Sequence, residues 1–400
     1  MKITFILPSI GVAGGVRVVF EYANRLIDRG HDVYIVYPII PPIFISRSKI
    51  KLFSSKIIGS LKNLKKGDKV RWFNVKAKLI RVPTLNPNFV DIVGKWIPNS
   101  DAIIATSWET VYFVNALPEE KGEKFYFIQH YEIWDIWNNI ECWKKVEDLE
   151  KDPIKQPITM SYITPKDPYL KKLKELVDAT YSMPLKKITI SSWLKELLEK
   201  RFKQKVYGLI MNGINFDIFH CDNNKNWNAK KRIILVPYRG IPWKGDLDGL
   251  KALKEIYRKY DDKIEVWFHG LRKPNNLPSW AKFFKISNDD ELRQLYCKAH
   301  IFVGPSWVEG FYLPPMEAMS CKCAVVTTKV GAVPEYTIPN KTAIVIPPRN
   351  PKKLAEGICY LLDNWDETKK IAKKGYNHIK QFTWEVATTK FENIVYKEIR

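Results

Sequence analysis

The feature that most constrains this chain is an alternation of short apolar runs and amphipathic stretches. It occurs twice, once on each side of a polar segment. Residues 3–7 form an apolar run of strand length, and Gly11, Gly14 and Gly15 follow. Val16, Val19, Phe20, Ala23, Leu26 and Ile27 then recur at helical spacing, with Gly30 where a helix C-cap glycine belongs. Residues 33–37 read as the next strand. Further strands are expected at 102–105, 125–128, 187–190 and 206–211, with Ser191 and Ser192 capping a helix over 193–202. The polar stretch 220–230 carries no periodicity and reads as a linker. A second series follows, with strands at 232–236, 264–268, 301–303, 324–326 and 343–346. Its helices are expected near 246–260, 289–298, 314–320 and 351–363, and a closing helix over 386–399. This order predicts an α/β chain of two doubly wound, Rossmann-like domains, with a ligand cleft between the carboxyl ends of their sheets. The expected division is 1–220, 221–380, and a tail 381–400 that returns to the first domain.

At 400 residues two hydrophobic cores are expected, and 46% apolar with 27% charged residues is a globular balance. No apolar run reaches the roughly 18 residues of a membrane span. The opening Met1–Lys2 leads straight into an apolar strand, so no cleaved leader is expected. The six cysteines (142, 221, 297, 321, 323, 359) show no spacing suited to zinc or to a redox pair, and they read as reduced thiols of a cytoplasmic protein.

Three groups of residues suggest chemistry. Gly14 and Gly15, between the first strand and the first helix, let backbone approach an anion, although a plain tight turn would use the same residues. Arg239 and Lys244 follow the first strand of the second domain. Paired cations there suit a diphosphate and the charge that grows on a leaving nucleotide, and two surface cations are the alternative. Glu309 and Glu317, with seven residues between them, lie in a loop and helix shaped by Gly, Pro and aromatic residues. Their carboxylates can accept bonds from sugar and ribose hydroxyls, and the N–H groups from Gly310 to Leu313 can face phosphate.

In this order and spacing the motifs resemble the retaining glycosyltransferases of family four, which have the GT-B fold. The resemblance rests on Glu309–Gly310–Phe311 through Glu317–Ala318–Met319, on the run Val330 to Glu335, and on Met211–Asn212–Gly213–Ile214–Asn215. It also rests on Arg239 with Lys244–Gly245 and on His130 in FIQHYE. It implies transfer of a sugar from a nucleotide-diphosphate sugar, with retention and without a metal or other cofactor. Glu317 would hold the ribose, Glu309 the donor sugar, and Arg239 and Lys244 the diphosphate. Gly14, Gly15, Gly310, Phe311 and Leu313 would shape the phosphate site, and His130 would lie near the reacting centre. The sequence departs from the family at Asn215, where Asp is usual, and at Lys322 and Ala324, where Gly and Pro are usual.

The formal charge is +22, and residues 47–82 alone carry twelve Lys/Arg against one Asp. Ile57, Ile58, Leu61 and Leu64 would give a helix there an apolar stripe backed by lysine, the pattern of an interfacial helix; a solvated basic face is the alternative. Binding of this segment to an anionic membrane would fit a lipid-linked or other glycan acceptor and a peripheral position at the cytoplasmic face. A transferase acting on nucleic acid and a catalytically silent nucleotide-sugar-binding protein are the competing readings. Asp246 and Asp248 read as helix-opening residues rather than metal ligands. Tyr131, Trp134, Trp137 and Trp143 read either as packing or as a sugar-stacking face.

Overall fold

The computed structural model describes residues 1–45, 70, 72–223 and 225–400. Most of the lysine-rich stretch, 47–69 with 71, therefore lies outside the described residues.

The chain builds two parallel sheets. The first has seven strands in the order β3-β2-β1-β4-β5-β6-β7, from β1 (Lys2–Ile6), β2 (Asp32–Ile40), β3 (Lys78–Thr84), β4 (Ala102–Ala105), β5 (Glu123–Ile128), β6 (Lys186–Thr189) and β7 (Val206–Leu209). The second has six in the order β10-β9-β8-β11-β12-β13: β8 (Arg232–Pro237), β9 (Ile264–Gly270), β10 (Ala281–Lys285), β11 (Ile301–Gly304), β12 (Ala324–Thr328) and β13 (Ile344–Ile346). Each sheet reverses strand order beside its first strand, β1 against β4 and β8 against β11. Such a reversal opens a crevice at the carboxyl ends of the strands. The central strands are continuous apolar runs because helices cover both faces.

Two strands were not expected. β3 runs over residues 78–84, from the end of the basic stretch and downstream of the apolar stripe expected at 57–64, which lies outside the described residues. β10 lies where no strand was read. The helix expected over 193–202 is a short helix, Ser192–Glu196, continued by a π turn over Leu197–Arg201. Among the described residues no helix is long and apolar enough to cross a membrane.

The last helix, Trp384–Glu398, packs on the first domain. Phe391 meets Phe5 and Tyr22, while Arg25 and Arg29 pair with Glu385 and Glu392 across helix Gly14–Asp28. Burial of Phe391, Trp384 and Val395 supplies the attachment; the exposed pairs add little.

The expectation of six reduced thiols is corrected. Cys221 and Cys297 form a disulfide, with Cα atoms 5.6 Å apart and a sequence separation of 76. It ties the linker to the end of helix Asp289–Lys298, a tertiary contact that spacing along the chain cannot reveal. The bond removes the cysteine argument for a reducing compartment. Lys225 strengthens the same attachment. Its buried ammonium donates to the carbonyls of Tyr296, Cys297 and Ala299 at the helix C-terminus, where a cation also meets the helix dipole favourably.

Candidate active site between the two domains

Every candidate group follows the carboxyl end of a strand, and together they line one cavity of about 750 Å³ between the two sheets. Gly14 and Gly15 come after β1, His130 after β5, Arg239 and Lys244 after β8. Glu309, Gly310, Phe311, Leu313 and Glu317 come after β11. Thus all ten residues singled out from the sequence meet at this cavity.

Gly14 and Gly15 are the first two residues of helix Gly14–Asp28, not a loop before it, so their N–H groups belong to a helix N-terminus open to the cavity. The space where a Cβ would stand on Gly14 is empty to 4 Å, whereas on Gly15 it would touch the Gln129 side chain at 3.3 Å. Across the cleft, Asp246 accepts the backbone N–H groups of Arg239, Gly240 and Ile241 and so sets the loop after β8. Asp248 accepts the Trp307 indole N–H at 2.7 Å. The acidic pair is thereby structural, and the Arg239 guanidinium makes no hydrogen bond among the described residues. Gly245 is required for two reasons: its φ is +73°, and a Cβ would stand 1.9 Å from the Pro305 carbonyl.

The Lys244 ammonium lies 2.8 Å from each carboxylate oxygen of Glu309, and Ser306 Oγ donates to Glu309 Oε1 at 2.8 Å. Burial lowers the lysine pKa, against the pull of Glu309. Glu317 is buried in the second turn of helix Leu313–Ser320 and accepts from the Tyr296 hydroxyl at 3.0 Å. Burial raises its pKa, and Arg17 opposes the rise. Tyr312, at the N-cap of that helix, has φ +86°, a strained setting for a non-glycine residue. The hydroxyl of Tyr336 secures it by donating to the Tyr312 carbonyl at 2.8 Å.

His130 is buried, and its Nδ1 lies 2.9 Å from the Tyr131 carbonyl. That bond places the proton on Nδ1 and leaves Nε2 as an acceptor. Burial lowers the His130 pKa to about 3, so the ring is neutral at ordinary pH. His269, at the end of β9, is likewise pushed down to about 3 by burial, with Arg239 adding to the effect. These depressed values have a stability consequence. In the unfolded chain both rings take a proton near pH 6.5, but in the folded chain only near pH 3. Folding stability is therefore expected to fall steadily as pH drops from about 6.5 towards 3. Denaturant midpoints measured across that range check the sign.

The buried polar atoms on residues lining the cavity that have no hydrogen-bond partner among the described residues include His130 Nε2, Asn212 Oδ1, Trp243 Nε1 and His269 Nε2. Burying such groups unpaired costs about 1–3 kcal/mol each, a cost that a polar ligand removes. The aromatic cluster divides between its two readings. Tyr131, Trp137 and Trp143 are buried packing, whereas Trp134 is exposed on the cavity wall. Its ring stacks on Trp243 of the other domain at 5.8 Å, with His130 beneath both.

Sequence reasoning missed Arg17, Asp289, His269 and Trp243. Arg17 reaches across the cleft to Asp289 in a bidentate pair, at 2.6 and 2.8 Å. One legible signal was available: a cation in the first turn of a helix opposes the dipole and needs another reason to be there. Gly310 marks a close approach of the domains, because a Cβ on it would stand 1.8 Å from the Gln129 carbonyl. Gly310→Ala is therefore expected to hold the cleft open and to lower catalytic efficiency at least tenfold, on the order of 1.4 kcal/mol. Steady-state kinetics beside a thermal melt separate that effect from unfolding.

Two Rossmann-like domains of parallel strands facing across a cleft define the GT-B class of fold. Comparison with known proteins gives the same class. Residues 220–378 match the family model described as Glycosyl transferases group 1. An uncharacterized glycosyltransferase of Methanocaldococcus jannaschii is 27% identical over 202 residues, 50% of this chain and 55% of that protein. The O-antigen chain mannosyltransferase B of Escherichia coli is 33% identical over 139 residues, 34% of this chain and 35% of that one. The chain thus spans about half or less of the length of these curated relatives. Among solved structures, sucrose-phosphate synthase from Thermosynechococcus elongatus superposes with TM-score 0.67 at 17% identity, covering 100% of this chain and 98% of that one. Anabaena Alr3699/HepE in complex with UDP-glucose gives TM-score 0.67 at 15% identity, covering 99% and 100%.

Proposed function

We propose that this protein is a retaining glycosyltransferase that moves a sugar from a nucleotide-diphosphate sugar to a glycan or lipid-linked acceptor, without a metal ion. The observation that carries the reading is the meeting of Arg239, Lys244, Glu309 and Glu317 with neutral His130 at one cavity whose walls hold unpartnered polar atoms.

In this reading the diphosphate lies between Arg239, Lys244 and the N-termini of helices Gly14–Asp28 and Leu313–Ser320. Fixed positive charge there stabilises the departing nucleotide. Glu317 accepts the ribose hydroxyls and Tyr296 orients it. Glu309 meets the donor sugar and keeps Lys244 in place. His130 Nε2 accepts a bond from a sugar hydroxyl, which a protonated ring could not do. The acceptor hydroxyl attacks the face that the nucleotide leaves, and its proton passes to a leaving-group phosphate oxygen.

The test is turnover of a nucleotide sugar in the presence of excess EDTA, with the anomeric configuration of the product read by NMR. Product of the donor's configuration supports the reading. Inverted product, or activity abolished by EDTA and restored by a divalent ion, overturns the corresponding part. Tight donor binding without turnover would favour the silent binding protein.

A further inference from the structure

Arg349 follows β13 in the second domain, yet most of its side-chain partners lie in the first. Its guanidinium donates to Gln156 Oε1 at 2.9 Å and to Glu147 Oε2 at 3.0 Å. The same group lies 5.2 Å from the ring centre of Trp143 in the first domain and 5.2 Å from that of Trp307 in the second. The two indoles meet edge to face at 5.6 Å. A planar cation thus sits in the corner formed by two nearly perpendicular indoles, one from each domain. Arg349 also has φ +59°, a backbone setting that disfavours non-glycine residues and is kept only where the surroundings impose it.

Trp307 connects this corner to the site. Its backbone N–H donates to the Trp243 carbonyl at 2.8 Å, its indole N–H to Asp248, and Glu309 stands two residues further on. We propose that Arg349 is a positioning residue: it clasps the first domain to the Glu309 loop, so that closure of the cleft and placement of Glu309 occur together. The catalytic consequence rests on the transferase reading, whereas the conformational one stands without it.

The experiment is small-angle scattering on the full chain and its variants, with turnover measured alongside. Arg349→Ala is expected to raise the radius of gyration beyond replicate scatter and to lower kcat at least tenfold, with a smaller change in donor KM. Arg349→Lys keeps the charge for Glu147 but has no plane to lay against the two indoles, so it is expected to rescue little. Glu147→Ala removes the exposed ion pair and leaves the stack, and is expected to keep the wild-type radius. If Arg349→Ala fails to fold, Arg349→Gln carries the same test. A radius equal to wild type in a folded Arg349 variant overturns the clasp. A wild-type chain that turns over no donor removes the transferase reading while leaving the scattering result to decide the clasp.

Discussion

Glu309→Gln is expected to reduce turnover at least a hundredfold, on the order of 3 kcal/mol of transition-state stabilisation. The substitution keeps the size of the side chain and an acceptor for Ser306. What it removes is the negative charge against which Lys244 is held by two 2.8 Å contacts. Burial already lowers the Lys244 pKa, so losing Glu309 pushes the amine further towards its neutral form. One change then weakens both the contact with the donor sugar and a cation beside the diphosphate. Because little packing changes, the melting temperature should move far less than the rate. Near-normal kcat/KM in a folded Glu309→Gln protein would remove Glu309 from the mechanism.

Arg239→Ala should be comparably damaging, again at least a hundredfold in kcat/KM, on the order of 3 kcal/mol. Its backbone N–H is committed to Asp246, but its guanidinium makes no hydrogen bond among the described residues and faces the cavity. Truncation therefore leaves the loop in place and deletes a bidentate donor for phosphate oxygens. Arg239→Lys is expected to recover only part of the loss, because an ammonium cannot reproduce the planar fork. The loss should appear in kcat as well as KM if the charge acts on the departing nucleotide, and in KM alone if Arg239 merely binds. A second consequence concerns His269, whose pKa Arg239 helps to depress, so the variant should lose less stability towards acid.

The parts of the fold that were legible are those governed by local pattern. The central strands are buried on both faces and read as unbroken apolar runs, and helices Asp246–Tyr260, Asp289–Lys298 and Pro351–Asp363 begin and end where periodicity places them. Both missed strands, β3 and β10, are sheet edges. An edge strand is half solvated and carries lysine, as in AKFFK, so neither alternation nor a continuous apolar run marks it. At the site, the strand-to-helix loops could be read because glycine, proline and charge cluster there. The bidentate pair of Arg17 with Asp289, the Cys221–Cys297 disulfide and the corner around Arg349 could not. Each joins residues far apart in the chain, and the one local clue, the dipole-opposing Arg17, names no partner. Tyr312 was also hidden, since nothing local predicts a left-handed tyrosine at a helix N-cap.

The central claim is that this cavity holds a nucleotide diphosphate through Glu317 and its surroundings. The most direct measurement is a thermal shift of the wild-type chain and of Glu317→Ala against a panel of nucleoside diphosphates and their sugars. The account predicts a selective rise in melting temperature with one base, lost or strongly reduced in the variant. No rise with any nucleotide, or a rise that Glu317→Ala leaves intact, would contradict it.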